Sequence, residues 1–140
     1  MLYFEREMIR LRAEMGYDTE SSQRVVRAKN LMDLDYAGPH SLASLARGAM
    51  VSPFHFARRF RRLYGTSPAR YLTDVRIRKS MALLSEGHSV LDTCYQVGFG
   101  SPTSFAGLFK RKTGVSPSSF RSAGIVRLAK KAGSERQASV

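Results

Sequence analysis

Residues 52 to 68 read SPFHFARRFRRLYGTSP and residues 101 to 117 read SPTSFAGLFKRKTGVSP, with nine of the seventeen positions identical at an offset of 49. Whatever this segment folds into, the chain must accommodate it twice. Each copy opens on Ser-Pro, an N-cap followed by proline at the first helical position. In the first copy Phe56, Phe60 and Leu63 then recur at i, i+4 and i+7, the spacing of one buried helical stripe. Gly65 follows as a left-handed stop. Phe105 and Phe109 repeat the buried pair in the second copy.

The duplication extends upstream. At an offset of 48, Ser41, Leu42 and Ala46 align with Ser89, Val90 and Cys94, and the second copy carries one extra residue in its turn. Each copy is therefore a short helix, a tight turn and a longer basic helix. The small residues Ala46 and Cys94 let the two helices cross closely. This is the helix-turn-helix plan, in which the second helix enters the major groove of DNA.

The rest of the chain is arranged around these copies. Residues 1–20 form a short amphipathic helix or linker, with Phe4, Met8, Leu11 and Met15 spaced 4, 3, 4. Ser21 or Ser22 caps a helix through QRVVRAKNLMDLDY, which Gly38-Pro39 ends. Ser67-Pro68 opens a linking helix that Gly87 closes. No stretch alternates with period two for long, so no strands are expected. The fold class is all-α: an N-terminal segment 1–20, a first unit with its linking helix over 21–87, and a second unit over 88–123. Residues 124–140 are rich in small residues and mildly basic, and are expected as a disordered tail.

The net charge of +12 is unevenly placed. Residues 1–51 hold seven Lys/Arg and seven Asp/Glu, a balance of zero. Residues 52–79 hold eight basic residues against Asp74 alone, and residues 101–131 hold seven basic residues and no acid, so each stretch carries +7. Clustered on the two repeats, this charge points to a polyanion, whose condensed counterions are released as phosphates are neutralised. The apolar runs are far shorter than the roughly 20 residues of a membrane span, and the N-terminus has no signal-peptide pattern. Cys94 is the single cysteine, so no intrachain disulfide or cysteine metal cluster is expected; a reducing cytoplasm is the simple reading. His40, His55 and His88 are dispersed. With no Ser/His/Asp arrangement, paired carboxylates or phosphate-cradling glycine loop, no catalytic residue, metal or cofactor is expected, and the chain is not read as an enzyme.

From Ser41 to Arg121 the chain resembles the DNA-binding domain of the AraC/XylS transcription regulators. The likeness rests on SLASLAR, SPFHFARRFRRLYGTSPARYL and RIRKSMALL in the first half. In the second half it rests on SV-x6-VGF, SPTSF, FKRKTGVSP and the final SFR. The resemblance implies two helix-turn-helix units joined by a helix, binding promoter DNA in adjacent major-groove segments. It also implies activation through contact with RNA polymerase. It places the base-facing positions at Phe54, Ala57 and Arg58 in the first recognition helix, about residues 52–64. In the second, about 101–113, they fall at Thr103, Ala106 and Gly107. The family commonly has arginine where Gly107 stands. Arg58 suits a bidentate contact with guanine O6 and N7, and Phe54 suits a thymine methyl. Thr103 and Ser104 remain as polar readers in the second helix. Ser52, His55, Arg61, Arg62, Ser101, Lys110 and Arg111 are expected on phosphates.

The expected function is thus a sequence-specific, double-stranded-DNA-binding transcription regulator, a monomer with a dimer through residues 1–20 as the alternative. Two other readings stay open at this point. One is a sequence-indifferent nucleic-acid or nucleoid binder held by charge; the other is the DNA-binding fragment of a larger ligand-sensing regulator.

Overall fold

The computed structural model describes residues 3–138, including the side chains outside 12–18 and 136–138. The described residues form seven helices and no strand: α1 (Tyr3–Leu34), α2 (Leu42–Gly48), α3 (Pro53–Tyr64), α4 (Pro68–Ser85), α5 (Val90–Gln96), α6 (Pro102–Thr113) and α7 (Pro117–Ala138). None of them is long and apolar enough to cross a membrane. Packing divides the chain into two compact units, Met1–Asp35 with His40–Leu72, and Tyr36–Pro39 with Thr73–Val140.

In the first unit, the second half of α1 buries Val25, Ala28 and Met32, α2 buries Leu45 and Ala46, and α3 buries Phe56 and Phe60. The Phe60 ring lies 4.8 Å from Tyr64 and 5.5 Å, edge-on, from Tyr71. Tyr71 donates its hydroxyl to Asp33 Oδ1 at 2.5 Å, and Lys29 Nζ pairs with Asp33 Oδ2 at 2.8 Å. Burial, and then the Asp33 carboxylate, push the Tyr71 phenol above its ordinary value of 10.0.

The second unit is built on Ile77, Leu84, Cys94, Phe105 and Phe109, with Met81, Val90, Phe99, Leu108 and Phe120 packed against them. Cys94 fills the small-residue place at the crossing of α5 and α6, and burial pushes its thiol up. Lys112 Nζ reaches across to Asp74 of α4 at 2.8 Å. Arg121 donates to the carbonyls of Gly87 and His88, fastening α7 to the turn between α4 and α5.

Three elements differ from the sequence expectation. First, α1 is one continuous helix, and Ser21, read as a cap, is buried within it. No proline interrupts the run, and serine is tolerated inside a helix when packing favours it. Second, Leu63 is 43% exposed, while Tyr64 takes the place beside Phe60 against Tyr71. Third, α7 runs to Ala138 where a disordered tail was expected. At Gly124 the helix passes so near α4 that a Cβ would stand 2.8 Å from Ser85 Cα. Ile125 lies over Gly87. That close crossing carries the helix past Arg121, and the alanine and lysine residues beyond it are good helix formers.

The turns of the two copies have the same geometry despite their different residues. Val51 N–H donates to Ala46 O at 3.1 Å, as Phe99 N–H does to Cys94 O at 3.0 Å. Met50 N–H donates to Arg47 O as Gly98 N–H does to Tyr95 O, both at 3.1 Å. Gly98 sits at φ 98°, and its counterpart Met50 is left-handed at φ 57°. A left-handed non-glycine residue costs roughly 1–2 kcal/mol, whereas introducing glycine costs about 0.5–1 kcal/mol through the unfolded chain. Met50→Gly is therefore expected to raise unfolding stability in urea by about 0.5 kcal/mol. Gly98→Ala should cost at least about 2 kcal/mol, because its Cβ would stand 2.8 Å from Ala37 O.

The raised Tyr71 phenol gives a pH expectation of fixed sign. Above its unfolded value of 10.0 the unfolded chain loses the proton first, so stability falls as pH rises through the folded value. Denaturation curves between neutral pH and pH values above 10.0 should show this decline, and Tyr71→Phe should make it shallower.

Candidate nucleic-acid interface

Each longer basic helix starts at a formed cap. Ser52 Oγ accepts from His55 N–H at 3.2 Å, and Ser101 Oγ accepts from Ser104 N–H at 3.3 Å. Proline follows each serine at the first helical position, and Gly65 and Gly114 end the helices in the left-handed conformation at φ 74° and 86°. Both helices therefore have fixed limits of 12 residues. Phe56–Phe60 and Phe105–Phe109, fully buried, fix which face turns inward.

What turns outward follows from the 100° step per residue. On α3, Phe54, Arg58, Arg61 and Arg62 stand at i, i+4, i+7 and i+8, roughly opposite the phenylalanine pair. All four are exposed, Phe54 at 70%, and Ala57 beside them is half-buried. Arg58, Arg61 and Arg62 make no ion pair or side-chain hydrogen bond among the described residues. His55 is exposed in the first turn of the helix, with its ring 6.2 Å from Phe54. α3 thus combines a helix dipole and a capping hydroxyl at its N-terminal end with an arginine row that runs from Arg58 to Arg61 and Arg62 in the last turn. These are the parts from which phosphate contacts and base contacts are made.

On α6 the corresponding positions are Thr103, Gly107, Lys110 and Arg111, all exposed, with Ser104 alongside. Lys110 and Arg111 are unpaired among the described residues, whereas Lys112 is held inward by Asp74. The row therefore keeps its cations toward the C-terminal end but offers at its centre only the glycine. A Cβ at Gly107 would meet nothing within 4 Å, so the missing side chain reflects the residue and not crowding. Of the positions expected to face DNA, Phe54, Arg58, Arg61, Arg62, Thr103, Gly107, Lys110 and Arg111 lie on these two exposed rows and Ser52, His55, Ser101 and Ser104 at their capped starts, whereas Ala57 and Ala106 are half-buried beside them. Sequence reasoning missed the Asp74–Lys112 pair, because the two residues are brought together only by the packing of α6 against α4. Among the described residues no group of three His, Cys, Asp or Glu side chains converges.

The model of a helix-turn-helix domain family matches residues 45–123. An AraC-like transcription regulator of Streptomyces antibioticus is 35% identical over 98 residues, 69% of this chain and 32% of that protein. This chain belongs to the AraC-type helix-turn-helix family. An uncharacterized helix-turn-helix transcriptional regulator of Bacillus subtilis, YdeC, is 33% identical over 112 residues, covering 77% of this chain and 38% of that protein. The chain thus spans about a third of the length of such relatives. Among solved structures, the DNA-binding domain of AdpA, a global transcriptional factor in complex with a target DNA, is similar at a TM-score of 0.70. Its identity is 30%, covering 74% of this chain and 94% of that one.

The first copy carries Arg58 at the position that matches Gly107, and the open space at Gly107 makes an arginine there a clean experiment. Gly107→Arg should fold with unchanged or slightly higher stability, since glycine inside a helix costs about 1 kcal/mol relative to better helix formers. In binding-site selection the variant should gain base preference in the segment facing α6, and unaltered affinity and preference would refute the assignment of this row.

Proposed function

We propose that the chain is a sequence-reading, double-stranded-DNA-binding module of a transcription regulator, with α3 and α6 each entering a major-groove segment of a promoter. The observation that carries this reading is the row Phe54, Arg58, Arg61 and Arg62. It is exposed, its arginines are unpaired among the described residues, and the buried Phe56 and Phe60 hold it outward. The likeness to the AdpA domain in its DNA complex supports the same assignment.

Arg58 takes the role of principal base reader, with its guanidinium on a guanine edge, and Phe54 packs on a thymine methyl. Thr103 and Ser104 read weakly in the second segment. Ser52, His55, Arg61, Arg62, Ser101, Lys110 and Arg111 hold phosphates. Specificity then comes mostly from α3, while α6 contributes mainly affinity. The module performs no catalytic step and works in the cytoplasm, where promoter DNA lies. It binds as a monomer, and activation proceeds through contact with RNA polymerase, as the family pattern implies. The apolar residues Tyr3, Phe4, Met8, Ile9 and Leu11, exposed along the start of α1, are the surface a dimer would use instead.

Competition binding at fixed salt separates this reading from a sequence-indifferent binder. A random-sequence pool should yield a preferred duplex, and the absence of any preference would sink the proposal. Arg58→Ala should lose roughly 1–3 kcal/mol at that preferred duplex and little on unrelated DNA. An equal loss on all DNA would make Arg58 a phosphate contact.

A further inference from the structure

The two units share a plan, and in the second unit a segment of the chain itself lies in a place that remains an open groove in the first. Aligned on buried residues, Val25, Ala28 and Met32 of α1 match Ile77, Ser80 and Leu84 of α4, an offset of 52. That register sets Arg24 against Arg76 and Arg27 against Lys79. The turn residues Met50 and Gly98 correspond as already described.

In the second unit these residues grip the segment Tyr36–Pro39. Arg76 donates through Nε to the Tyr36 carbonyl and through Nη2 to the Gly38 carbonyl, both at 2.7 Å. Lys79 Nζ stands 5.5 Å over the Tyr36 ring, a cation–π arrangement. The Ala37 backbone fills the space where a Gly98 side chain would begin. The socket of the second unit thus holds a short turn with one aromatic residue and main-chain carbonyls that accept from the socket's arginine.

In the first unit the corresponding residues border a groove of about 370 Å³ between α1 and α2. Arg24, Arg27 and Leu31 form one wall, Gly48 and Met50 the other, with Ala28, Leu45 and Ala49 beneath. Arg27 has no ion pair or hydrogen bond among the described residues. Arg24 pairs with Glu20 at 2.7 Å and points its other nitrogen toward Met50 O at 3.5 Å. Where Gly98 is required by the segment pressed against it, Met50 keeps a side chain at the cost of a left-handed backbone and presents it at the groove, 71% exposed. A flexible thioether is well suited to close over an apolar guest.

We propose that this groove docks a short turn of another polypeptide, chemically like Tyr36–Pro39. The guest's carbonyls would face Arg24 and Arg27, and its aromatic ring would lie among Leu31, Met50 and the Arg27 guanidinium. The guest lies outside this domain, and the site is separate from the outer rows of α3 and α6.

The test is a titration of the isotope-labelled protein with a blocked peptide copying residues 34–40, Leu-Asp-Tyr-Ala-Gly-Pro-His, followed by NMR. Saturable shifts are expected at the amides of Leu31, Gly48, Ala49 and Met50. Arg27→Ala should weaken the binding about tenfold, the scale of one lost charge-assisted contact. Gly48→Leu should abolish it by filling the groove while leaving the melting temperature unchanged, since a Cβ at Gly48 meets nothing within 4 Å. A peptide with alanine in place of tyrosine should bind weakly. The proposal is overturned if no saturable shift occurs, if shifts are confined to Arg76, Lys79 and Gly98, or if both variants bind as the parent does.

Discussion

The orientation of each outer row rests on one aromatic pair. Phe56 with Phe60, and Phe105 with Phe109, are fully buried one helical turn apart. Burying a phenylalanine side chain is worth about 1.5–3 kcal/mol, so rotating either helix to hide its cations would forfeit several kcal/mol. The hydroxyl caps and left-handed glycine stops then fix where each helix begins and ends. With rotation and extent both determined, the outward residues are set by the helical repeat alone. Chemistry at the surface is in this sense dictated by the core beneath it.

The same frame explains why the two copies could diverge. At the core the phenylalanine pair is identical in the two copies, while the buried positions around it exchange one small or apolar residue for another, Val25 for Ile77, Met32 for Leu84 and Ala46 for Cys94, within a close-packed interior. The outer positions are under no such restraint. Arg58 against Gly107, and Leu63 against Lys112, are differences the fold accepts without adjustment. In the second case the fold uses the new side chain, since Lys112 reaches Asp74. The proposed asymmetry in DNA reading is therefore an asymmetry of surface laid over a shared helical plan and a shared phenylalanine pair.

Much of this was legible in the sequence. The repeat, the Ser-Pro starts, the glycine stops and the phenylalanine spacing are local signals, and they placed α2 through α6 and both outer rows. What escaped was non-local. Leu63 and Tyr64 both fit an inward helical position, and only Tyr71, contributed by the next helix, decides for Tyr64. The length of α7 depends on the close passage of Gly124 over Ser85, which no local pattern encodes. Ser21 carries a cap residue's chemistry inside a continuous helix. The left-handed Met50 was hidden because only comparison with Gly98, in the folded turns, reveals it.

The division of the packing falls inside α4, between Leu72 and Thr73, and not in a loop. Leu72 is buried with the first unit, Ile77 and Leu84 with the second, on one uninterrupted helix. The duplication is thus joined through a helix that both units use, so the boundary between them does not coincide with a gap between helices.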